Sequence, residues 1–427
     1  GPRALARRAA AQGVGSPLPH AAEGKAYLDW NATSPIFPEV TEAVLPYIAT
    51  EFGNPSSDHC FGAPSRAAVA TARGQVAELL GCEPGEVVFC GCGSEADNHA
   101  LRSSVALRRG ELPAGSKPHV VSSAIEHVAI SACLDAMAKA GEVEVTYVGV
   151  DEEGVVSPEK VAAAVKPATV LVSIMHSNNE VGTIQDIRAI ADAARAAHRA
   201  AAGAGAGALL VHTDAAQSVG KVPVRPAALG ADMATIVGHK FGAPKGVAAL
   251  YVRRGLALPS LLLGGGQESG RRAGTEAVPQ IVALGAAAAV VSRELPAIAA
   301  HMRACRDSLY EAIAAGVGAE RLRVNGPPLA AGDRRRLPNT LSLGIRGASA
   351  AAVLADLSAA RVAASASAAC HAAGAAEAQV SFVLAAMGVP RDFALGTLRL
   401  SVGRHTTGEE IARAARVVVS SCAKATA

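Results

Sequence analysis

The chain has 427 residues, half of them apolar, and a formal net charge of +3. That length exceeds one small domain and can bury a substantial core. So nearly balanced a charge argues against a nucleic-acid-binding stripe or a polybasic membrane patch.

The longest apolar run, Ile281 to Val291, is too short to span a bilayer, so a soluble protein without membrane association is expected. Eight cysteines are scattered along the chain with no CxxC pair, which fits a reducing, intracellular compartment. Cys90-Gly-Cys92 has no second pair or histidine cluster to complete a metal site, and none is expected.

Residues 1–24 begin with three arginines (Arg3, Arg7, Arg8) and many alanines. They are expected as a disordered leader or the remnant of an organellar transit peptide. The expected location is the cytoplasm, or a plastid or mitochondrion in the second case. From Pro64 to Leu80 the pattern is helical and stops at Gly81. A strand over 86–89 leads into the glycine-rich Gly91-Cys-Gly-Ser-Glu95 and a new helix. Further short apolar, β-branched runs come at 119–121, 169–175, 209–212, 234–237 and 247–252. Short buried strands separated by helices predict an α/β fold with a mostly parallel central sheet and helices on both faces. The stretch 199–208, rich in Ala and Gly, is expected as a surface loop after a helix. Beyond about 290, Ala-rich helical segments alternate with runs at 340–343 and 398–402, as in a smaller α+β domain. The expected division is a large domain over 38–290 and a small domain from 25–37 and 291–427.

The residues just past each strand are the informative ones. Successive strand ends carry Gly93-Ser94, Glu126-His127, Asn178-Asn179-Glu180, Asp214-Ala-Ala-Gln217 and Gly238-His239-Lys240. In open α/β sheets ligands sit beyond the carboxyl ends of the strands, so five polar ends converge on one cleft. Such a set can serve a pyridoxal cofactor, which needs a lysine for a Schiff base, an acid for the pyridine nitrogen, a phosphate cup, and contacts to the ring face and 3′ oxygen. Singly, each residue has a plainer reading. Lys240 alone reads as a solvated lysine, Asp214 as a helix N-cap, and Gly93-Ser94 as a weak phosphate signal at a helix start.

Together they resemble a family. Tyr27-Leu-Asp-Trp-Asn-Ala-Thr33, Gly53-Asn-Pro-Ser-Ser57, Gly93-Ser-Glu-Ala-Asp-Asn98, Glu126-His127, Asn178-Asn-Glu180, His212-Thr-Asp-Ala-Ala-Gln217, Gly238-His-Lys240, Gly264-Gly-Gly-Gln-Glu268 and Arg272-Ala-Gly-Thr275 run in the order of class V pyridoxal-phosphate enzymes, in the branch of cysteine desulfurases and selenocysteine lyases. The resemblance covers the chain from Lys25 to about Val418 and implies a fold-type I PLP-dependent transferase. It implies that Lys240 forms the internal aldimine and shuttles protons, that His127 stacks on the ring, and that Asp214 holds the pyridinium. Gln217 and Asn179 would lie near the 3′ oxygen. Gly93, Ser94, Gly238 and His239 would line the phosphate site, and Thr275 would reach the phosphate of the neighbouring subunit in a homodimer. Arg399 would clamp the substrate carboxylate, with Asn31 and Asn54 in the same pocket.

Cys370 lies among small residues (Ser365 to Gly374) that predict a mobile loop over the cleft. A free cysteine is usually a small buried hydrophobe. The resemblance makes this one the group that either donates a proton or attacks the substrate's selenium or sulfur, with an acceptor protein for the selenium or sulfur as a partner. Ala369-Cys370-His371, Val237 before Gly238, Gln267-Glu268, Lys117-Pro-His119 and the insertion near 199–208 are closer to selenocysteine lyases. Met175-His-Ser-Asn178 leans toward desulfurases. The balance favours selenocysteine lyase. A selenol ionises far more readily than a thiol, whose reference pKa is about 8.5, so for selenium Cys370 can act only as a proton donor or acceptor. Sulfur removal needs it as a thiolate, which His371 can promote. The chain departs from the family in having Gly242 where a tyrosine usually comes after Phe241, and in carrying Cys90 and Cys92 near the cup. An aminotransferase indifferent to Cys370 and a non-enzymatic scaffold are the rival readings.

Overall fold

The computed structural model describes residues 13–19, 23–113, 115–203, 207–330, 332–366 and 380–424. A short first strand, β1 (Ala26–Tyr27), precedes the seven strands of the main sheet. These are β2 (Val87–Cys90), β3 (His119–Ser123), β4 (Glu144–Val148), β5 (Thr169–Ser173), β6 (Leu210–Asp214), β7 (Met233–Val237) and β8 (Ala248–Val252), in the order β2-β8-β7-β6-β5-β3-β4. β8 runs antiparallel to both its neighbours, and the remaining pairs are parallel. Six strands therefore end on one edge, and the expectation of a mostly parallel α/β sheet holds.

The sheet is covered on both faces because alternate side chains along each strand point to opposite sides. Val87 and Phe89 of β2 and Ala249 and Tyr251 of β8 join one core with helices α1 (Pro38–Ala49) and α2 (Gly62–Leu80). α2 ends at Gly81 with φ +64°. Val88, Cys90, Leu250 and Val252 join another core with α3 (Gly93–Arg109) and α4 (Val128–Lys139). β4 stands at the edge with exposed and half-buried residues. The helix over Ile187–Ala202 takes in the first residues of the stretch expected as a loop from 199, because its apolar face packs Ile187, Ile190, Ala191 and Ala194 inward.

A second sheet, in the order β12-β13-β10-β9, is antiparallel: β9 (Leu322–Val324), β10 (Thr340–Ile345), β12 (Ser365–Ala366) and β13 (Thr397–Ser401). A two-residue parallel pair, β1 with β11 (Val362–Ala363), ties the first strand to this unit. The units are joined by a helix of 40 residues, Val278–Val317. By length and composition it could cross a membrane. Here its first half (Ile281, Leu284, Ala287, Val291) lies in the core of the large sheet, and its second half (Ile298, Met302, Leu309, Ile313) in that of the small one. Part of the stretch expected as a leader is packed: Gly15 N–H donates to Arg404 O at 2.8 Å, His405 donates to Ser16 O, and Leu18 is buried.

Candidate active site

Lys240 ends a single 3₁₀ turn, Gly238–Lys240, immediately after β7. Its ammonium donates to the main-chain oxygens of Asn31 and Ala32 at 2.7 and 2.9 Å. Asn31 is placed by the second sheet. Its N–H donates to Ser401 Oγ, its amide nitrogen to Asn179 O and Thr340 Oγ1, and its Oδ1 accepts from Asn339. The side chain is thus engaged inside the protein, and what Asn31 presents to Lys240 is its main-chain carbonyl.

Asp214, at the end of β6, is buried and accepts the N–H of Ala216 at 2.8 Å. Burial raises its pKa, and the charges of His127 and Lys240 oppose that rise. Two more buried carboxyls lie behind it. Burial, helped by the charge of Asp214, pushes Asp97 well up. Burial pushes Glu126 up to about 8, and its Oε1 accepts from Ser123 Oγ and Met175 N–H. Asp97 Oδ1 and Glu126 Oε2 have no hydrogen-bond partner among the described residues. A pocket this rich in buried carboxyls holds an anion at Asp214 only opposite a cation, as a protonated ring nitrogen would provide. His127 is exposed and caps α4, its Nδ1 accepting from Ala129 N–H, close enough to Asp214 for its charge to lower that carboxyl's pKa.

α3 opens at Gly93 with no side-chain cap, leaving its first N–H groups and the exposed Ser94 hydroxyl for an anion. Only glycine fits at 93, since a Cβ there would stand 2.6 Å from Val237 Cγ2. Beside it His239 bonds Thr33 Oγ1 through Nδ1 at 3.2 Å, and its carbonyl accepts from Ser34. Burial and the nearby Lys240, Lys245 and Lys221 lower its pKa to about 4, so it is neutral. Gly238 is tightly packed, with Val247, Ala243 and Leu284 at 3.0 to 3.1 Å from where a Cβ would be. Thr275 is exposed in the loop after the glycine run.

Arg399, on β13, is buried. Nη2 pairs with Asp29 Oδ1 at 2.9 Å, Nη1 donates to Asn179 O at 3.3 Å, and Nε has no partner among the described residues. The Asn179 carbonyl thus joins Arg399 to Asn31, whose own carbonyl accepts from Lys240. Asn54 sits in an exposed turn, its Oδ1 accepting from Ser56 N–H in a purely local bond. Cys370 and His371 lie outside the described residues. Several contacts at the site had no signal in local spacing. Asp29 was inside a quoted motif, but its partner is 370 residues away. Glu95 pairs with Arg272 at 2.8 Å, and Glu268 with Arg73 at 2.6 Å, fastening the glycine-rich loop to α3 and α2.

The doubly covered sheet, its polar strand ends and the antiparallel second unit define an α/β enzyme of the aminotransferase type. The sequence pattern of the family described as Aminotransferase class-V matches residues 26–414, and the chain belongs to that family. It is 39% identical over 385 residues to cysteine desulfurase 2 of Trichormus variabilis, covering 90% of each chain. To the selenocysteine lyase of Bos taurus it is 40% identical over 413 residues, covering 91% of each. Among solved structures, a NifS-like protein superposes with a TM-score of 0.81 at 32% identity, over 93% of this chain and 98% of that one. The chain is therefore an enzyme of the pyridoxal-phosphate-dependent group that contains cysteine desulfurases and selenocysteine lyases.

Proposed function

We propose that the chain is a pyridoxal-phosphate-dependent selenocysteine lyase, converting L-selenocysteine to L-alanine with release of selenium. The observation that carries it is the meeting at one sheet edge of Lys240, buried Asp214 and the uncapped start of α3. When bound, the cofactor supplies an electron sink for cleavage at the amino acid's α and β carbons. Lys240 would hold it covalently and then, released, move the proton at the substrate's α carbon. Asp214 would face the ring nitrogen, His127 the ring, and Gln217 and Asn179 the 3′ oxygen. Gly93, Ser94, Gly238 and His239 would hold the phosphate, with Thr275 of a second copy in a homodimer. The exposure of Thr275 and of Phe52, Phe61 and Leu263 supports such a partner. Arg399, aimed by Asp29 and Asn179, would take the substrate carboxylate with its remaining donors. Cys370 would donate a proton to the substrate's β carbon, where the C–Se electron pair stays to give alanine, while the selenium leaves at the zero oxidation state and is taken up by a thiol of an acceptor protein.

Selenium over sulfur rests on Ala369-Cys370-His371 and on Val237. Val237 places a methyl group against Gly93, where a serine would offer the cup a hydroxyl. The second reading is a cysteine desulfurase carrying a persulfide on Cys370. Met175-His-Ser-Asn178 favours it, as does 31% identity to SspA, whose solved structure is a complex with cysteine. Alanine formation from selenocysteine and from cysteine, measured side by side under reductant, separates the two. A higher kcat/KM for cysteine would overturn the selenium assignment.

A further inference from the structure

Gln217 is held at both ends of its amide. Its Oε1 accepts from the Lys221 ammonium at 2.8 Å, and its Nε2 donates to Asn31 O at 2.9 Å. That same carbonyl accepts from Lys240 Nζ at 2.7 Å. Gln217 and Lys221 are both buried. An ammonium only donates and a carbonyl only accepts. Between the two, one orientation of a primary amide satisfies both ends, with its oxygen toward Lys221 and its N–H group toward Asn31 and Lys240.

We infer that Lys221 is the positioning residue that fixes the Gln217 amide, so that its N–H group faces the reacting end of Lys240 and the cofactor's 3′ oxygen. This rests on the cofactor reading proposed for the site. Lys221 pairs with no carboxylate among the described residues, and the one hydrogen bond of its ammonium there is to Gln217. Burial, then the charges of Lys240 and Arg399, lower its pKa. What orients the amide is the donation from Lys221 Nζ to Gln217 Oε1 at 2.8 Å. Without it the Gln217 oxygen would be buried with no donor, and the amide would be free to turn.

An N–H group at the 3′ oxygen stabilises negative charge there. It thereby lowers the pH at which the adjacent lysine–cofactor nitrogen gives up its proton, and losing it raises that pH. The titratable and charged groups around this point are Asp214 and His127 on the ring side, neutral His239 beside Lys240, and Lys221 and the Asp29–Arg399 pair behind Gln217.

The test is a pH titration of the visible absorption of bound pyridoxal phosphate in purified holoenzyme. It compares wild type, Lys221→Met, Gln217→Ala and the double variant, each with its cofactor content per subunit. Lys221→Met should keep its cofactor and titrate about half to one pH unit higher. Gln217→Ala should do the same, and the double variant should match Gln217→Ala. An unshifted midpoint in fully loaded Lys221→Met would overturn the inference. So would an equal further shift in the Gln217→Ala background, which would mean that Lys221 acts directly by charge. Should Lys221→Met fail to fold, Lys221→Gln can still present an N–H group to the same oxygen. It should keep the wild-type midpoint, and a midpoint equal to that of Gln217→Ala overturns the inference. A wild-type protein that takes up no cofactor sinks the cofactor reading instead.

Discussion

Ser365 stands opposite Arg399 as its partner in the antiparallel β12–β13 ladder. The chain therefore enters residues 367–379 from beside Arg399. It returns at Ser381, whose hydroxyl donates to Glu180 Oε2 at 2.5 Å, in the Asn178-Asn179-Glu180 motif. Both ends of the stretch holding Cys370 are thus fixed at the site. Cys370 is four residues beyond Ala366, and four extended residues reach about 14 Å.

From this tether, Cys370→Ala should bind pyridoxal phosphate as wild type does and lose selenium release from selenocysteine. The loss should be at least about 10²–10⁴-fold, the range of a general acid. Cofactor absorbance and selenide assay on one preparation check both halves. Full retained activity on selenocysteine would remove Cys370 from the reaction.

Arg399→Lys should lower kcat/KM for selenocysteine by about 10- to 100-fold, mostly through KM, because an ammonium cannot reproduce the planar fork of a guanidinium. Steady-state kinetics on the variant, with Asp29→Asn beside it, decide the role. If Arg399 served only its pair with Asp29, both changes would lower the unfolding temperature and leave KM where it was.

Sequence reasoning found the sheet well because parallel strands buried on both faces read as unbroken apolar runs, as at Val170 to Ser173 and Ala234 to Val237. It missed β4, whose Glu144 and Tyr147 belong to an exposed edge and carry no such signal. It also gave no direction for β8, because strand direction is set by the connection and not by the side chains. At the site, the motif residues were legible because they cluster at strand ends. Their supports were not. Asp29 with Arg399, Ser381 with Glu180 and Arg73 with Glu268 are joined across 370, 201 and 195 residues. No local spacing encodes such a meeting. Lys221 lies only four residues after Gln217, yet it reads as an ordinary surface lysine until burial is known.

Glu126 makes stability depend on pH. Its folded pKa is raised from 4.5 to about 8, first by burial. Below the lower value the carboxyl is protonated in both folded and unfolded chains, and its contribution is fully present. Between the two values the unfolded chain has released a proton that the folded chain keeps, so stability falls as pH rises. The effect is on the order of a few kcal/mol. The unfolding midpoint of cofactor-free protein should therefore drop from pH 5 to pH 8, and Glu126→Gln should flatten that slope. An unchanged slope in the variant would place the proton elsewhere.

Glu268 fastens the glycine-rich loop from an unfavourable backbone position. It is buried at φ +53°, followed by Ser269 at φ +58°, both in the left-handed region that glycine favours. Three contacts hold it there: Arg73 through two nitrogens at 2.6 and 2.7 Å, and the N–H of Phe89 at 2.9 Å. Arg73 in turn lies over the Phe89 ring at 4.6 Å. Glu268→Ala keeps the backbone strain, takes the carboxylate from Arg73, which retains only Val87 O, and leaves the buried Phe89 N–H without its acceptor, which should cost about 3–5 kcal/mol. Glu268→Gln keeps one acceptor oxygen and should lose less. Because this loop carries Arg272 and Thr275, cofactor retention on gel filtration should weaken in the same order as the unfolding temperature. A Glu268→Ala protein as stable as wild type would mean that the loop is held instead by contacts such as Glu95–Arg272 and Arg271 with Gly85 O.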